Sequence, residues 1–191
     1  MPFNINQFRS ELTGDGARPN LFEMRMDFPD FTNLTGASKP LTFLCKTAAI
    51  PASTIGVAEL QYFGRTLKFA GNRTFADLNI TVINDENFLV RTAFQSWLSG
   101  INQHASNLRT APTATYTKDA RVIQFAKNGN ELKEYNFIGC FPTELSEIAL
   151  DWSSNDSIEE YTVTLAYQWW QMGGTDTSTD RVGTGPIPDF L

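Results

Sequence analysis

The sequence predicts a mainly β protein, an antiparallel β-sandwich or barrel with one packed α-helix. Three observations carry this. Several segments alternate apolar and polar residues at a period of two, the pattern of a strand with one buried face. The clearest is residues 159–170, where Tyr161, Val163, Leu165, Tyr167 and Trp169 alternate with Glu160, Thr162, Thr164 and Gln168. One stretch has helical spacing instead, with Phe94, Trp97, Leu98 and Ile101 forming a stripe. Turn residues punctuate the alternating segments, and Asn128-Gly129 is the strongest short-range hairpin signal in the chain.

Residues 1–19 are polar and contain Gly14, Gly16 and Pro19, so they read as an N-terminal arm whose order depends on outside contacts. Residues 20–28 give the first strand, with Phe22, Met24, Met26 and Phe28 on one face and Glu23, Arg25 and Asp27 on the other. A turn-rich connection over 29–40 leads to a short second strand expected at 41–46. Residues 47–72 alternate weakly, are broken by Pro51, Gly56, Gly64 and Gly71, and retain apolar residues at exposed-looking positions. They read as a long extended hairpin or as a plain pair of edge strands; long excursions in a compact domain are usually functional.

Residues 75–83 return to clear alternation. Asn84 and Asp85 then stand where helix caps would, and a helix is expected over about 86–102. After a polar connection, strands are expected at 121–127 and 135–141 around Asn128-Gly129. Ile148, Leu150 and Trp152 continue the alternation before the final strand at 159–170. Residues 171–191 are rich in Gly, Thr and Asp and read as a flexible C-terminal tail, which leaves 20–170 as a single β domain.

Length and composition agree with that organisation. A chain of 191 residues buries an adequate core without staples. Cys45 and Cys140 fit no zinc spacing and are expected to be buried, inert thiols. No segment approaches the ~20 apolar residues of a membrane span, and no basic-then-apolar leader opens the sequence, so a soluble, cytoplasmic chain is expected. The formal charge of −6 argues against a surface that grips nucleic acid.

The search for reactive chemistry yields no cofactor, metal or catalytic residues. No phosphate-binding loop, paired-histidine motif or nucleophile elbow is present. The neighbouring carboxylates Glu159 and Glu160, Asp85 and Glu86, and Glu131 and Glu134 read as solvated strand or helix ends, and the sole histidine, His104, as a solvated loop residue. Periodicity places Trp97, Trp152 and Trp169 in the core and Trp170 on the opposite face. A saccharide-stacking platform of tryptophans would make the chain a carbohydrate-binding sandwich.

Four segments carry a resemblance: NLFEMRMDFP at 20–29, FLCKTAAIPASTIG at 43–56 continuing through FGRTLKFAGNRTF, INDENFLVRTAFQSW at 83–97, and GCFPTELSEIALDWSSNDSIEEYTVTLAYQWW at 139–170. In that order they resemble the tail-tube protein of contractile-tailed, myovirus-type bacteriophages, over about residues 18–170. The resemblance implies a tail-tube or secretion-tube fold, hexameric rings stacked into a hollow tube, and localisation in the virion tail. It also implies sheath, baseplate, tape-measure and tail-terminator partners, and double-stranded DNA passing through the lumen without specific binding. In such tubes an extended hairpin bridges one ring to the next, which assigns 47–72 that role with Ile50, Ile55, Leu60, Phe63 and Phe69 as candidate inter-ring contacts. The nearest alternative is the tube of a related injection system, a type VI secretion or bacteriocin particle.

Overall fold

The structure, a computed structural model, describes residues 4–173 apart from 13 and 15. Among the described residues, with short 3-10 turns at Asp30–Thr32 and Thr35–Ala37, nine strands and four α-helices follow in chain order. They are α1 (Ile5–Glu11), β1 (Phe22–Met26), α2 (Ser38–Leu44), β2 (Cys45–Ala49), β3 (Ser53–Tyr62), β4 (Arg65–Phe75) and β5 (Leu78–Ile83), then α3 (Leu89–Ile101), α4 (Thr113–Tyr116), β6 (Lys118–Phe125), β7 (Glu131–Leu145), β8 (Glu160–Ala166) and β9 (Trp169–Gly173). Seven strands form one antiparallel sheet in the order β1-β6-β7-β8-β5-β2, with β9 also on β7, while β3 and β4 pair only with each other.

The sheet bends on β7, which is long enough to serve two layers. Its first half lies between β6 and β9; its second half pairs with β8. The bend falls at Gly139, whose φ of +68° suits a residue without Cβ. Opposite it the partner strand breaks at residues 167–168, where the Gln168 amide donates to the Ile138 carbonyl. The end strands β1 and β2 approach each other, with Cys45 Sγ 4.0 Å from Met24 Sδ.

The inward faces meet in one core. Met24 and Met26 of β1, Val122 of β6, Phe137 and Cys140 of β7, Ile80 and Val82 of β5, and Val163 and Leu165 of β8 are all buried. Helix α3 packs on β7 through Val90, Ala93, Phe94 and Trp97. Phe28 meets the Phe94 and Trp97 rings edge-on at 5.0 and 5.9 Å, and Trp97 Nε1 donates to the Tyr116 carbonyl at 2.7 Å. Full burial of each such aromatic contributes on the order of 2–3 kcal/mol, so this helix is fixed by its stripe.

Several expectations need correction. Residues 38–44 are helical and the strand begins at Cys45. Pro40 lies in the first turn, where its missing N–H would have no intrahelical partner anyway, and Leu41 is buried at helical spacing from Ala37 and Leu44. Helix α3 starts at Leu89 after an αL residue, Phe88, because residues 85–88 close a turn with the Phe88 amide on the Asp85 carbonyl. The alternation of Ile148, Leu150 and Trp152 builds no strand. Residues 146–159 form a surface loop with an Asp151 side-chain turn onto Ser153, and Trp152 is fully exposed.

The final strand is not continuous, and the break reverses its parity. Trp170 packs on the core beside Tyr135 and Phe137, whereas Trp169 is 38% exposed. Residues 171–173, expected in the tail, extend β9; the rest of the expected tail, 174–191, lies outside the described residues. Residues 5–11 of the expected arm are helical.

Candidate assembly surface

Residues 45–83 form a single two-stranded ribbon. Ala49 stands opposite Asn79 in the core sheet, the Ala76 amide donates to Ala52, and Ser53 stands opposite Phe75 in the same register. The lower part is sheltered by β8; the upper part, β3 and β4, projects with every residue of β3 exposed. A two-stranded hairpin alone in water is marginal at best, and this one is anchored in the subunit at its base, where its register continues into β2 and β5.

The turn at its tip fixes which side chains share a face. Tyr62 pairs with Arg65 across Phe63-Gly64, whose φ values of 45° and 75° are both positive, as a two-residue I′ turn requires. Gly64 accepts this freely. Phe63 does not, and its ring is 91% exposed, held edge-on to Tyr62 at 4.5 Å between centroids.

From that register, Leu60 lies opposite Leu67 and Ala58 opposite Phe69, so Ala58, Leu60, Tyr62, Leu67 and Phe69 share one face with Arg65 at its end. The other face carries Gln61 opposite Thr66, hydrogen-bonded at 3.0 Å, and Glu59 opposite Lys68, ion-paired at 3.5 Å. The ribbon is amphipathic, with its apolar side unpartnered in the subunit.

Below this, the register shifts at Gly56, which faces Gly71 and Asn72. A Cβ on Gly71 would lie 3.0 Å from the Gly56 carbonyl oxygen, so this bulge brings the two backbones closer than side chains allow.

The five candidate contacts are therefore not equivalent. Leu60 and Phe69 share the apolar face and Phe63 caps it. Alternation along β3 puts Ile55 with Val57 on the opposite side, and Ile50 precedes the strand at the ribbon's base. Sequence reading missed Tyr62 and Leu67. The signal for them was Phe63-Gly64 read as a two-residue turn, which fixes every pair above it.

The other residues singled out in the sequence are dispersed. Glu160 pairs with Lys46 at 2.5 Å, Glu159 accepts from Asn84 Nδ2 at 3.1 Å, and Glu134 lies 3.6 Å from Arg121. His104 is an exposed loop residue. Cys45 and Cys140 are free and buried, and burial pushes both thiols up to about 12. Tyr161 is buried under the Arg91 guanidinium, 4.9 Å from the ring centroid, and desolvation raises its phenol above the usual range. Among the described residues no group of three His, Cys, Asp or Glu side chains converges, and no helix is long and apolar enough to cross a membrane.

A β subunit with an amphipathic ribbon it cannot bury itself belongs to the class of proteins completed by assembly. The family described as Phage tail tube protein matches residues 17–173, and the chain belongs to that family. It is 34% identical over 160 residues to tail tube protein gp19 of Enterobacteria phage T4, covering 83% of this chain and 93% of that one. Its fold is shared with chains solved in the anti-feeding prophage cap (TM-score 0.60, 17% identity, 82% of this chain and 90% of that chain). It is likewise shared with chains in the sheath–tube complex of an extracellular contractile injection system, PVC (TM-score 0.56, 17% identity, 86% and 96%). The protein is a structural component of the contractile phage tail.

Proposed function

We propose that this chain forms hexameric rings that stack into the inner tube of a contractile phage tail, a passive conduit for double-stranded DNA. The observation that carries the reading is the projecting ribbon, whose apolar face is left exposed by the described subunit. Residues 20–173 are the ring-building domain, and Leu60, Phe63 and Phe69, joined by Tyr62 and Leu67, anchor one ring to the next. Ile55 and Ile50 contact the neighbour from the other face and from the base. A few buried aromatic and aliphatic anchors carry most of such an interface.

The tube has no enzymatic role of its own. Sheath, baseplate, tape-measure and terminator proteins are its partners, and it assembles in the host cytoplasm before residing in the virion tail. The net charge of −6 suits transit of DNA, because a basic lining would hold phosphates at every step. A tube in a related injection system uses the same architecture, and the solved neighbours from such systems favour that as the second reading.

Full-length protein incubated with purified baseplates and examined by electron microscopy should grow hollow tubes, and Leu60→Glu with Phe69→Glu should abolish them while leaving a folded subunit. Tubes of normal length from that double variant would sink the reading.

A further inference from the structure

The surface loop 146–159 exposes three apolar side chains, Leu150 at 85%, Trp152 at 101% and Ile158 at 70%. Its charges are Glu147, Asp151, Asp156 and Glu159, without a single Lys, Arg or His. The ribbon has the opposite balance. Between Ser53 and Phe75 stand Arg65, Lys68 and Arg73 against the single acid Glu59. Two exposed apolar patches of opposite charge thus occur on one subunit.

Strand register places them at opposite ends of the sheet. The ribbon continues from the start of β5, where Leu78 lies opposite Leu165. The loop enters β8 at the far end of the same pair, where Ile83 lies opposite Glu160. The ribbon continues the register of β2 and β5 away from the loop, so the two patches stand at opposite ends of the subunit.

We infer that the loop around Trp152 is the receptor for the ribbon tip of the next copy, joined head to tail. A contact between different patches on identical chains is heterologous and propagates indefinitely when its axis does not close. The rings close sideways; this contact extends the stack. Phe63 and Tyr62 meet Trp152 and Leu150, and Arg65, at the end of the same face, meets the loop carboxylates Asp151 and Asp156. The pairing also fixes polarity, because a ribbon-to-ribbon approach would set like charges together. The inference rests on the tube reading and names the surface that reading leaves open.

The test is a charge swap in the full-length chain. Arg65→Glu on the ribbon, and Asp156→Lys on the loop, should each cut the sedimenting tube fraction about tenfold, since facing like charges cost at least that much. Combining the two substitutions should restore most of it. Both positions are exposed, and circular dichroism of the unassembled subunit confirms folding. A second arm uses Phe63→Cys with Trp152→Cys: mild oxidation of tubes should give a ladder of covalent oligomers, and either single substitution no species beyond a dimer.

Loop variants that assemble like the parent, or a combined variant no better than the singles, would overturn the assignment while ribbon variants still support a tube. Failure of the parent chain to form tubes would instead remove the tube reading itself.

Discussion

Gly100 is the position in α3 where a missing side chain matters most. A Cβ there would lie 2.2 Å from Phe31 Cε2, and the Gly100 carbonyl accepts hydrogen bonds from the amides of Thr110 and Ala111 and from Thr110 Oγ1. The helix, the Phe31 ring and the 110–111 segment are pressed together, so neither neighbour yields cheaply. Gly100→Ala should cost about 1–3 kcal/mol by overpacking, measured as a lower urea midpoint, and Phe31→Leu in the same chain should recover part of the loss. The two thiols give a second residue-scale test. Unfolded, they ionise near their ordinary value of 9.0, whereas burial holds them neutral up to about 12. Above pH 9 the unfolded chain sheds protons the folded one keeps, so stability falls with rising pH by up to ~1.4 kcal/mol per unit per thiol. Below pH 9 these groups leave stability flat. An aromatic disulfide reagent at pH 8 should find no reactive thiol in the native protein and two in denaturant; rapid native labelling would contradict the burial.

At the scale of elements, the ribbon sets local stability against assembly. An aromatic residue in the left-handed region costs about 1 kcal/mol or more, and Phe63 holds that conformation with its ring in water. Asn is the better residue for this turn. Phe63→Asn should therefore raise the melting temperature of the isolated subunit while lowering the yield of tubes, two changes of opposite sign from one substitution. If both fall together, the tip serves the subunit's own fold. The same reasoning separates α2 from the strand expected there. A buried Leu41 between Ala37 and Leu44 makes sense at helical period, and that period is set by the neighbouring core rather than by the short apolar run.

For the whole molecule, the question is how a marginal contact builds a stable tube. Five half-exposed apolar side chains on one ribbon release on the order of 5 kcal/mol when covered, near the lower bound of the ~4–15 kcal/mol cost of fixing one body on another. One ribbon about breaks even. A closed ring docks all its ribbons for a single loss of rigid-body freedom, so stacking is strong only between rings. The subunit itself does not depend on the ribbon, since none of its core residues lies between 53 and 75. Replacing 53–75 by a short turn between Ala52 and Ala76 should leave the urea midpoint within about 1 kcal/mol of the parent and eliminate tubes. Collapse of the shortened chain would show that the projection stabilises the barrel.

What the sequence by itself determined is whatever depends on local period. Met24, Met26 and Phe28, the stripe of Phe94 and Trp97, and Tyr161 to Leu165 all face the core as alternation or helical spacing requires, because burial of one face repeats along a regular element. The exposed apolar character of the ribbon was legible too, in the weak alternation of residues 47–72. Only the tertiary structure decided where regularity stops. Gly139 bends β7, the partner strand breaks at 167–168, and the parity beyond reverses, so Trp170 is packed and Trp169 exposed. Trp152 alternates correctly with Leu150 yet has no strand beside it to make a sheet. Period specifies a face; only long-range pairing supplies the neighbour that turns that face into core, and the apolar face of the ribbon has none among the described residues.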